Sequence, residues 1–148
     1  MGIMANSLKK NRDMTQEEKE LLAKDLFSRA LSGVKVDYRG RVYTLGYNLY
    51  LKEGDTAFES YPMQCFLDKV DSIKPYLRPM SSMTEEEKKS YHIIKDRLCE
   101  ACIHGTIKDI AYWTNSLDLW FYKYHFDNAN LIEKGLAIEV TEENNPYK

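Results

Sequence analysis

The sequence predicts an α+β domain: an N-terminal helix, a small antiparallel sheet, and two C-terminal helices packed on it. Strand-like alternation is confined to the first half of the chain, and helical periodicity lies on either side of it. Strands and helices that are grouped in this way favour an antiparallel sheet over a parallel one. The 148 residues, 43% of them hydrophobic, are enough for one domain with a real core. We expect that domain at 14–140, between a flexible tail at 1–13 and a flexible acidic tail at 141–148.

The first helix is marked by its start signal. Thr15 and Glu18 form a capping box, in which the side chain of each residue bonds the backbone N–H of the other. An apolar stripe follows at Leu22, Leu26 and Ala30, and Gly33 then provides a helix stop.

The next segment alternates with the period of two that is typical of strands. An Arg39-Gly40 turn would place Val36 opposite Tyr43 and Val34 opposite Leu45, with all four side chains on one face. A second pair of strands is expected at 47–52 and 57–61 around a turn at Gly54-Asp55, with one more possible strand in 63–73. A sheet of this length suits a small SH3-like barrel.

Two prolines, Pro75 and Pro79, predict a rigid, extended connector over 73–83. The second helix then begins at a further capping box, Thr84 with Glu87, and Thr106 with Asp109 starts the third helix. The second helix has an apolar stripe at Tyr91, Ile94, Leu98 and Cys102. The third carries both tryptophans on one face, Trp113 and Trp120, which predicts that it forms the centre of the core. A short turn at Leu131 and an edge strand over 136–140 complete the domain.

Cys99 and Cys102 are candidate metal ligands, because residues three apart share a helix face. Zinc would need two more ligands, and His104, His92 or Cys65 could be proposed. A structural zinc site normally pairs two such elements, however, and this chain has one. A redox pair would be expected at a helix start, whereas this one lies near a helix end. Because Cys102 also fits the apolar stripe, we expect both cysteines to be structural, with no metal and no cofactor.

His125 and Asp127 could in principle serve acid–base chemistry. No serine or cysteine nucleophile with recognisable surroundings accompanies them. A histidine at a helix C-terminus is favoured by the helix dipole, so helix termination is the preferred interpretation. The sequence also lacks a glycine-rich phosphate loop, a paired-histidine zinc helix, a calcium loop and a serine elbow. The enzyme question therefore stays open, leaning towards a protein that is not an enzyme.

Basic and aromatic side chains share the first predicted hairpin: Lys35, Tyr38, Arg39, Arg41 and Tyr43. Small barrels bind single-stranded nucleic acid by stacking bases on rings and pairing phosphates with cations. Asp37 and a formal net charge of −2 argue against such a role. Nucleic-acid binding is therefore the alternative to a protein-interaction module, which the 11 tyrosines favour because this residue is enriched at interfaces. The oligomeric state stays open.

A cytoplasmic setting is expected. No apolar run approaches the ~18–20 residues of a membrane span, and the start of the chain lacks the apolar core of a secretory signal. Three cysteines, an odd count, do not form a disulfide framework and suit reduced thiols.

Three strings, EEKELLAKDLFSRALSGVKV, IKPYLRPMSSMTEEEKKSY and HFDNANLIEKGLAIE, resemble a family of short proteins from gut anaerobic bacteria and their phages or mobile elements. The resemblance spans residues 14–140 and is sharp only in these strings. That family has no established activity, so the resemblance implies a bacterial or phage setting and no catalytic residue. Cys99 and Cys102 lie outside its pattern.

Overall fold

A computed structural model describes residues 13–46, 50–53, 56–60 and 69–148, with the backbone alone at 56–60. It confirms the α+β class. The helices and strands in chain order are α1 (Gln16–Arg29), β1 (Lys35–Tyr38), β2 (Arg41–Leu45), β3 (Tyr50–Glu53), β4 (Thr56–Ser60), β5 (Ile73–Leu77), α2 (Glu85–His104), α3 (Ile107–Lys123) and β6 (Ile138–Glu139). Two 3-10 turns, Val70–Ser72 and Met80–Ser82, flank β5.

The strands form one six-stranded sheet in the order β4-β3-β2-β1-β5-β6. The first four strands are a meander, β5 returns to pair with β1, and every pair is antiparallel except β5 with β6. The meander with β5 beside β1 is the strand order of an SH3-like fold. Among the described residues no pairing joins β4 to β5 or β6, so the sheet has two edges.

The first hairpin has the predicted register. Val36 pairs with Tyr43, and the Leu45 N–H donates to the Val34 carbonyl at 3.0 Å. Arg39 and Gly40 both have positive φ, 53° and 83°, as a two-residue turn between twisted strands requires. The predicted turn at Gly54-Asp55 lies outside the described residues, as do 47–49 and 61–68.

The predicted proline connector is extended but is part of the sheet. Pro75 pairs with Val36 inside β5, between β1 and β6. Proline has no N–H to donate, and none is needed towards β1, because the backbone of Pro75 faces β6, where Leu77 two residues later accepts the Val140 N–H. At the next position the Tyr147 hydroxyl accepts from the Lys35 N–H at 3.0 Å and donates to the Tyr76 carbonyl at 2.7 Å. The side chain of Tyr147 thus joins the strands where backbone bonding is interrupted.

The main core lies between α1, the inner face of the sheet and the turn before β6. Its fully buried side chains include Leu22 and Leu26 of α1, Val36 and Leu45 of the hairpin, and Leu131. The prediction that α3 forms the centre of the core is wrong. Its buried residues Trp120 and Phe121 pack instead in a second, aromatic cluster, because they lie at the end of α3 that meets the connector.

The second and third helices form an antiparallel hairpin that extends from this aromatic cluster. Ala101 is the only buried residue of α2, and the buried residues of α3 lie in its last turn. Twenty residues make α2 about 30 Å long, so most of the hairpin lies beyond the cluster. The predicted inclusion of Cys102 in the buried stripe is wrong, since Cys102 is exposed near the tip.

Candidate functional site

The candidate nucleic-acid residues do not form one surface. Tyr38 and Tyr43 are only 5% and 4% exposed and point into the core, with ring centroids 6.3 Å apart. Arg39 and Arg41 are exposed at the turn, and the Lys35 ammonium donates to the Thr44 hydroxyl at 2.6 Å. Strand alternation turns both rings inward, and the Arg39 guanidinium covers one of them, with its Cζ 5.1 Å from the Tyr38 ring centroid. Stacking of bases on these two rings would require the hairpin to open.

The Asp127 carboxylate is engaged in local structure. Its two oxygens accept the backbone N–H groups of Leu131 and Ile132, both at 2.9 Å. These bonds fix the turn that brings Leu131 into the core. Asp127 is 7% exposed and lines an open groove of about 620 Å³ together with Asp118 and Lys134. Both of its oxygens are therefore committed to backbone donors on the floor of that groove.

α3 ends at Lys123, and His125 follows two residues later with φ of 61°. Its ring stacks on Tyr147 with centroids 3.9 Å apart and an interplanar angle of 11°. Burial, reinforced by the positive charges of Arg29, Arg78 and Lys35, lowers the pKa of His125 to about 4. The imidazole is therefore neutral at pH 7, and its Nδ1 is buried without a hydrogen-bond partner among the described residues.

Arg29 and Asp25 form a buried ion pair that the sequence analysis did not predict. Arg29, fully buried at the end of α1, donates from Nε to Asp25 at 2.8 Å. Its Nη2 donates to the Phe126 carbonyl at 2.7 Å and to Asn128 Oδ1 at 2.9 Å. The guanidinium also lies 4.9 Å from the Tyr122 ring centroid. We call these five residues the Arg29 cluster.

The cluster is built for structure rather than for chemistry. Two of its contacts fasten α1 to the segment after α3, so the guanidinium connects two parts of the chain nearly one hundred residues apart. Burial raises the pKa of Asp25 in spite of the neighbouring cation. Asp25 and Arg29 stand four apart on a helix, which in the sequence looks like an ordinary surface pair. Both residues lie on the same side of α1 as Leu22 and Leu26, and this was the signal in the sequence that could have indicated their burial.

The C-terminal segment lies against the outer face of the sheet. Tyr147 bridges β1 and β5, and burial raises its pKa above the ordinary value for tyrosine. Residues 143–146 line one side of an open groove, with Val42 and Tyr76 on the other. The flexibility expected of 141–148 stays a prediction, and the structure places Tyr147 of this segment in a specific contact.

The exposed apolar side chains are concentrated on the helical hairpin. Among the large ones that the structure describes, five of eight belong to α2 or α3: Ile93, Ile103, Ile107, Tyr112 and Leu119. Tyr112 is also the only exposed tyrosine among the described residues. Most of the described tyrosines are therefore at least partly buried, and most of the exposed large apolar side chains lie on the hairpin.

Comparison with known proteins gives no relative: no family model, no curated protein and no solved structure matches this chain. The bacterial or phage setting implied by the resemblance accordingly stays a prediction. None of the described helices is long and apolar enough to cross a membrane.

Proposed function

We propose that this chain is a non-enzymatic protein-interaction module that binds another protein through the outer face of α3. The observation that carries the proposal is the exposure of Tyr112 and Leu119, 63% and 57% respectively, seven residues apart. Seven residues are close to two helical turns, so both side chains lie on one face. Large apolar side chains aligned in this way are typical of a contact surface, whereas scattered ones are not.

The charges around this pair indicate the chemistry of the partner. Lys108 and Lys123 fall within about 40° of Tyr112 around the helix axis, whereas Asp109 and Asp118 fall about 60° and 120° away. The strip is thus apolar at its centre and basic at both ends. A complementary partner would place carboxylates around an apolar centre, since matching charges at the rim guide association and select partners. We infer an acidic, amphipathic segment of another protein.

The setting proposed for this interaction is the cytoplasm of a bacterium, with the partner encoded by the host or by a phage. The resemblance of three strings to short proteins of gut bacteria and their phages motivates the setting, and the three cysteines suit a reducing compartment. The bonding of both Asp127 oxygens to backbone N–H groups supports a role that is not enzymatic, because it gives this carboxylate a structural task in the turn at Leu131.

The proposal is tested with a Tyr112→Ala/Leu119→Ala variant. Partners are captured from a lysate of the source organism, and each candidate is then purified and titrated against the chain by calorimetry. We expect the double variant to bind at least tenfold more weakly, since truncation of an interface anchor typically costs more than about 1 kcal/mol. The matched control is Phe27→Ala/Leu31→Ala, which removes equally exposed apolar side chains from the other end of the molecule. Equal binding by both variants would contradict the proposal.

Nucleic-acid binding through the β1–β2 hairpin stays a prediction with a test of its own. Arg39 and Arg41 are exposed and could contact phosphates. An Arg39→Gln/Arg41→Gln variant should then lose a mobility shift on single-stranded RNA or DNA that weakens steeply with salt. The absence of any such shift in the unmodified chain would remove this alternative.

A further inference from the structure

The two helix cysteines need a new explanation once their surroundings are known. The stripe that predicts a buried Cys102 does not hold, and both Cys99 and Cys102 are exposed. A free cysteine in a core serves as a small apolar side chain, but an exposed pair gains nothing from that role. Two thiols on a projecting helix are instead placed where another molecule can reach both.

The spacing of the pair suits one metal ion. Residues three apart on a helix have Cβ atoms about 5–6 Å apart. Tetrahedral zinc with Zn–S bonds of about 2.3 Å holds its sulfurs about 3.8 Å apart, a distance that the two side chains can close by rotation. The part of the chain that the structure describes contains no group of three or more His, Cys, Asp or Glu side chains able to hold a metal. One chain therefore presents half of a zinc site there.

The pair lies on a distinct side of the hairpin. The opposite side, near the tip, is a charged groove lined by residues that include Arg97, His104 and Asp109. Two residues along a helix correspond to about 200° of rotation, so Cys99 is turned away from Arg97, and Cys102 from His104. By the same rule Ile107, 86% exposed, is turned away from Asp109. The cysteines thus share their side of the tip with an exposed isoleucine.

We propose that a second copy of this chain supplies the other half of the site. Two hairpin tips meet about a two-fold axis, and Cys99 and Cys102 of each copy bind one Zn²⁺ as a tetrathiolate. Such an isologous contact needs only one surface, which complements itself. The four thiols release their protons to solvent when the metal binds, as thiolate ligation requires. Ile107 of each copy loses exposure at the same interface.

The charges beside the cysteines are mixed. Four thiolates and one Zn²⁺ carry a net charge of −2. Lys95 lies one turn before Cys99 on the same side of α2, and Asp96 lies about 60° from Cys99, so each copy brings one cation and one carboxylate to that side. Glu100 lies about 100° from Cys99. The inference does not depend on the proposed function, because the Tyr112 face of α3 points in another direction.

The test is zinc titration of the reduced full chain under anaerobic conditions, with molar mass followed by light scattering. We expect a doubled mass at one zinc per two chains, and return to the monomer mass on addition of EDTA. Cobalt(II) in place of zinc should give the visible bands of a tetrahedral tetrathiolate. Cys99→Ser/Cys102→Ser should abolish all three results, and circular dichroism should show that this variant, altered only at exposed positions, keeps its helices.

Cys65→Ser is the matched control, since it removes the third cysteine of the chain and leaves Cys99 and Cys102 in place. It should retain the zinc-dependent doubling. Four results would overturn the inference: a mass that zinc leaves unchanged, one zinc bound per chain, a zinc-dependent dimer in the Cys99→Ser/Cys102→Ser variant, or a dimer that depends on Cys65.

Discussion

Single residues in this molecule derive their roles from burial more than from chemical type. Arg29 is the clearest example, because a guanidinium with no exposed surface must be matched by several acceptors. The contacts to Asp25, the Phe126 carbonyl and Asn128 satisfy its Nε and Nη2, whereas its Nη1 is buried with no hydrogen-bond partner among the described residues. The sequence could not indicate these contacts, since two of the acceptors follow nearly one hundred residues later in the chain.

Replacement of this arginine tests its structural role. Arg29→Met should lower the free energy of unfolding by about 3–5 kcal/mol, because it leaves the buried carboxylate of Asp25 without its cation. Urea denaturation followed by tryptophan fluorescence measures the loss. The matched control is Lys88→Met, which removes the exposed pair between Lys88 and Glu85 at 3.3 Å and should change stability by less than about 0.5 kcal/mol. A loss below about 1 kcal/mol for Arg29→Met would contradict the role.

His125 predicts a dependence of stability on pH. Its pKa is about 4 in the folded chain against 6.5 as the ordinary value, so between these limits the unfolded chain binds more protons. Stability is therefore complete above pH 6.5 and falls as the pH falls towards 4. Asparagine tolerates the positive φ at this position, so His125→Asn should flatten the pH dependence in this window. An NMR titration of the ring with a midpoint near 6.5 would refute the prediction.

Secondary-structure elements were predictable where their signals are local. The capping boxes at Thr15 and Thr84 form as predicted, and Thr106, predicted to start α3 with Asp109, forms a third box with the same reciprocal bonds. The hairpin register was also predictable, because the turn and the alternation agree. The place of Pro75 inside the sheet could not be predicted from the sequence. It depends on β1 and on Tyr147, both distant in sequence, and proline by itself argues against an interior strand.

The second of these capping boxes also attaches the hairpin to the rest of the molecule. Glu87 accepts two bonds from the Arg78 guanidinium, both at 2.8 Å, in addition to the bonds within the cap. The same guanidinium lies 4.3 Å from the Phe126 ring centroid. The hydrogen bond from Arg78 is the largest cause that lowers the pKa of Glu87 to about 2. A start signal for α2 thus also fixes where α2 meets the connector.

Glu87→Gln should therefore destabilise the folded chain by about 1–3 kcal/mol near neutral pH, as expected for loss of charge-assisted hydrogen bonds. The carboxylate stabilises the fold above its ordinary pKa of 4.5, and this contribution disappears as the pH falls towards 2. Stability curves of the variant and the unmodified chain should thus converge in acid. Glu100→Gln, exposed on the same helix, is the control and should stay within about 0.5 kcal/mol. Curves that stay parallel down to pH 2 would contradict this account.

At the scale of the whole molecule, Phe126 of the aromatic cluster provides a link to α1. Phe126 is fully buried, stacks on Trp120 at 5.2 Å with an angle of 12°, and gives its carbonyl to Arg29. The main core with α1 lies on one side of it, and the helical hairpin lies on the other. The hairpin tip, around Ala101 and Trp113, lies beyond both clusters, so few contacts oppose its separate opening.

This arrangement predicts two levels of stability, which native-state hydrogen exchange can resolve. Amides of residues 98–113 should exchange through local opening, at a lower free energy than amides of α1 and β1, which require global unfolding. Leu26→Ala, expected to cost about 2–5 kcal/mol in the main core, should lower the protection of α1 and β1 by that amount. Protection of the tip amides should stay unchanged as long as local opening of the tip costs less free energy than global unfolding. If the tip amides lost protection in step with β1, the hairpin and the core would form a single cooperative unit, and the separation of the two clusters would have no energetic meaning.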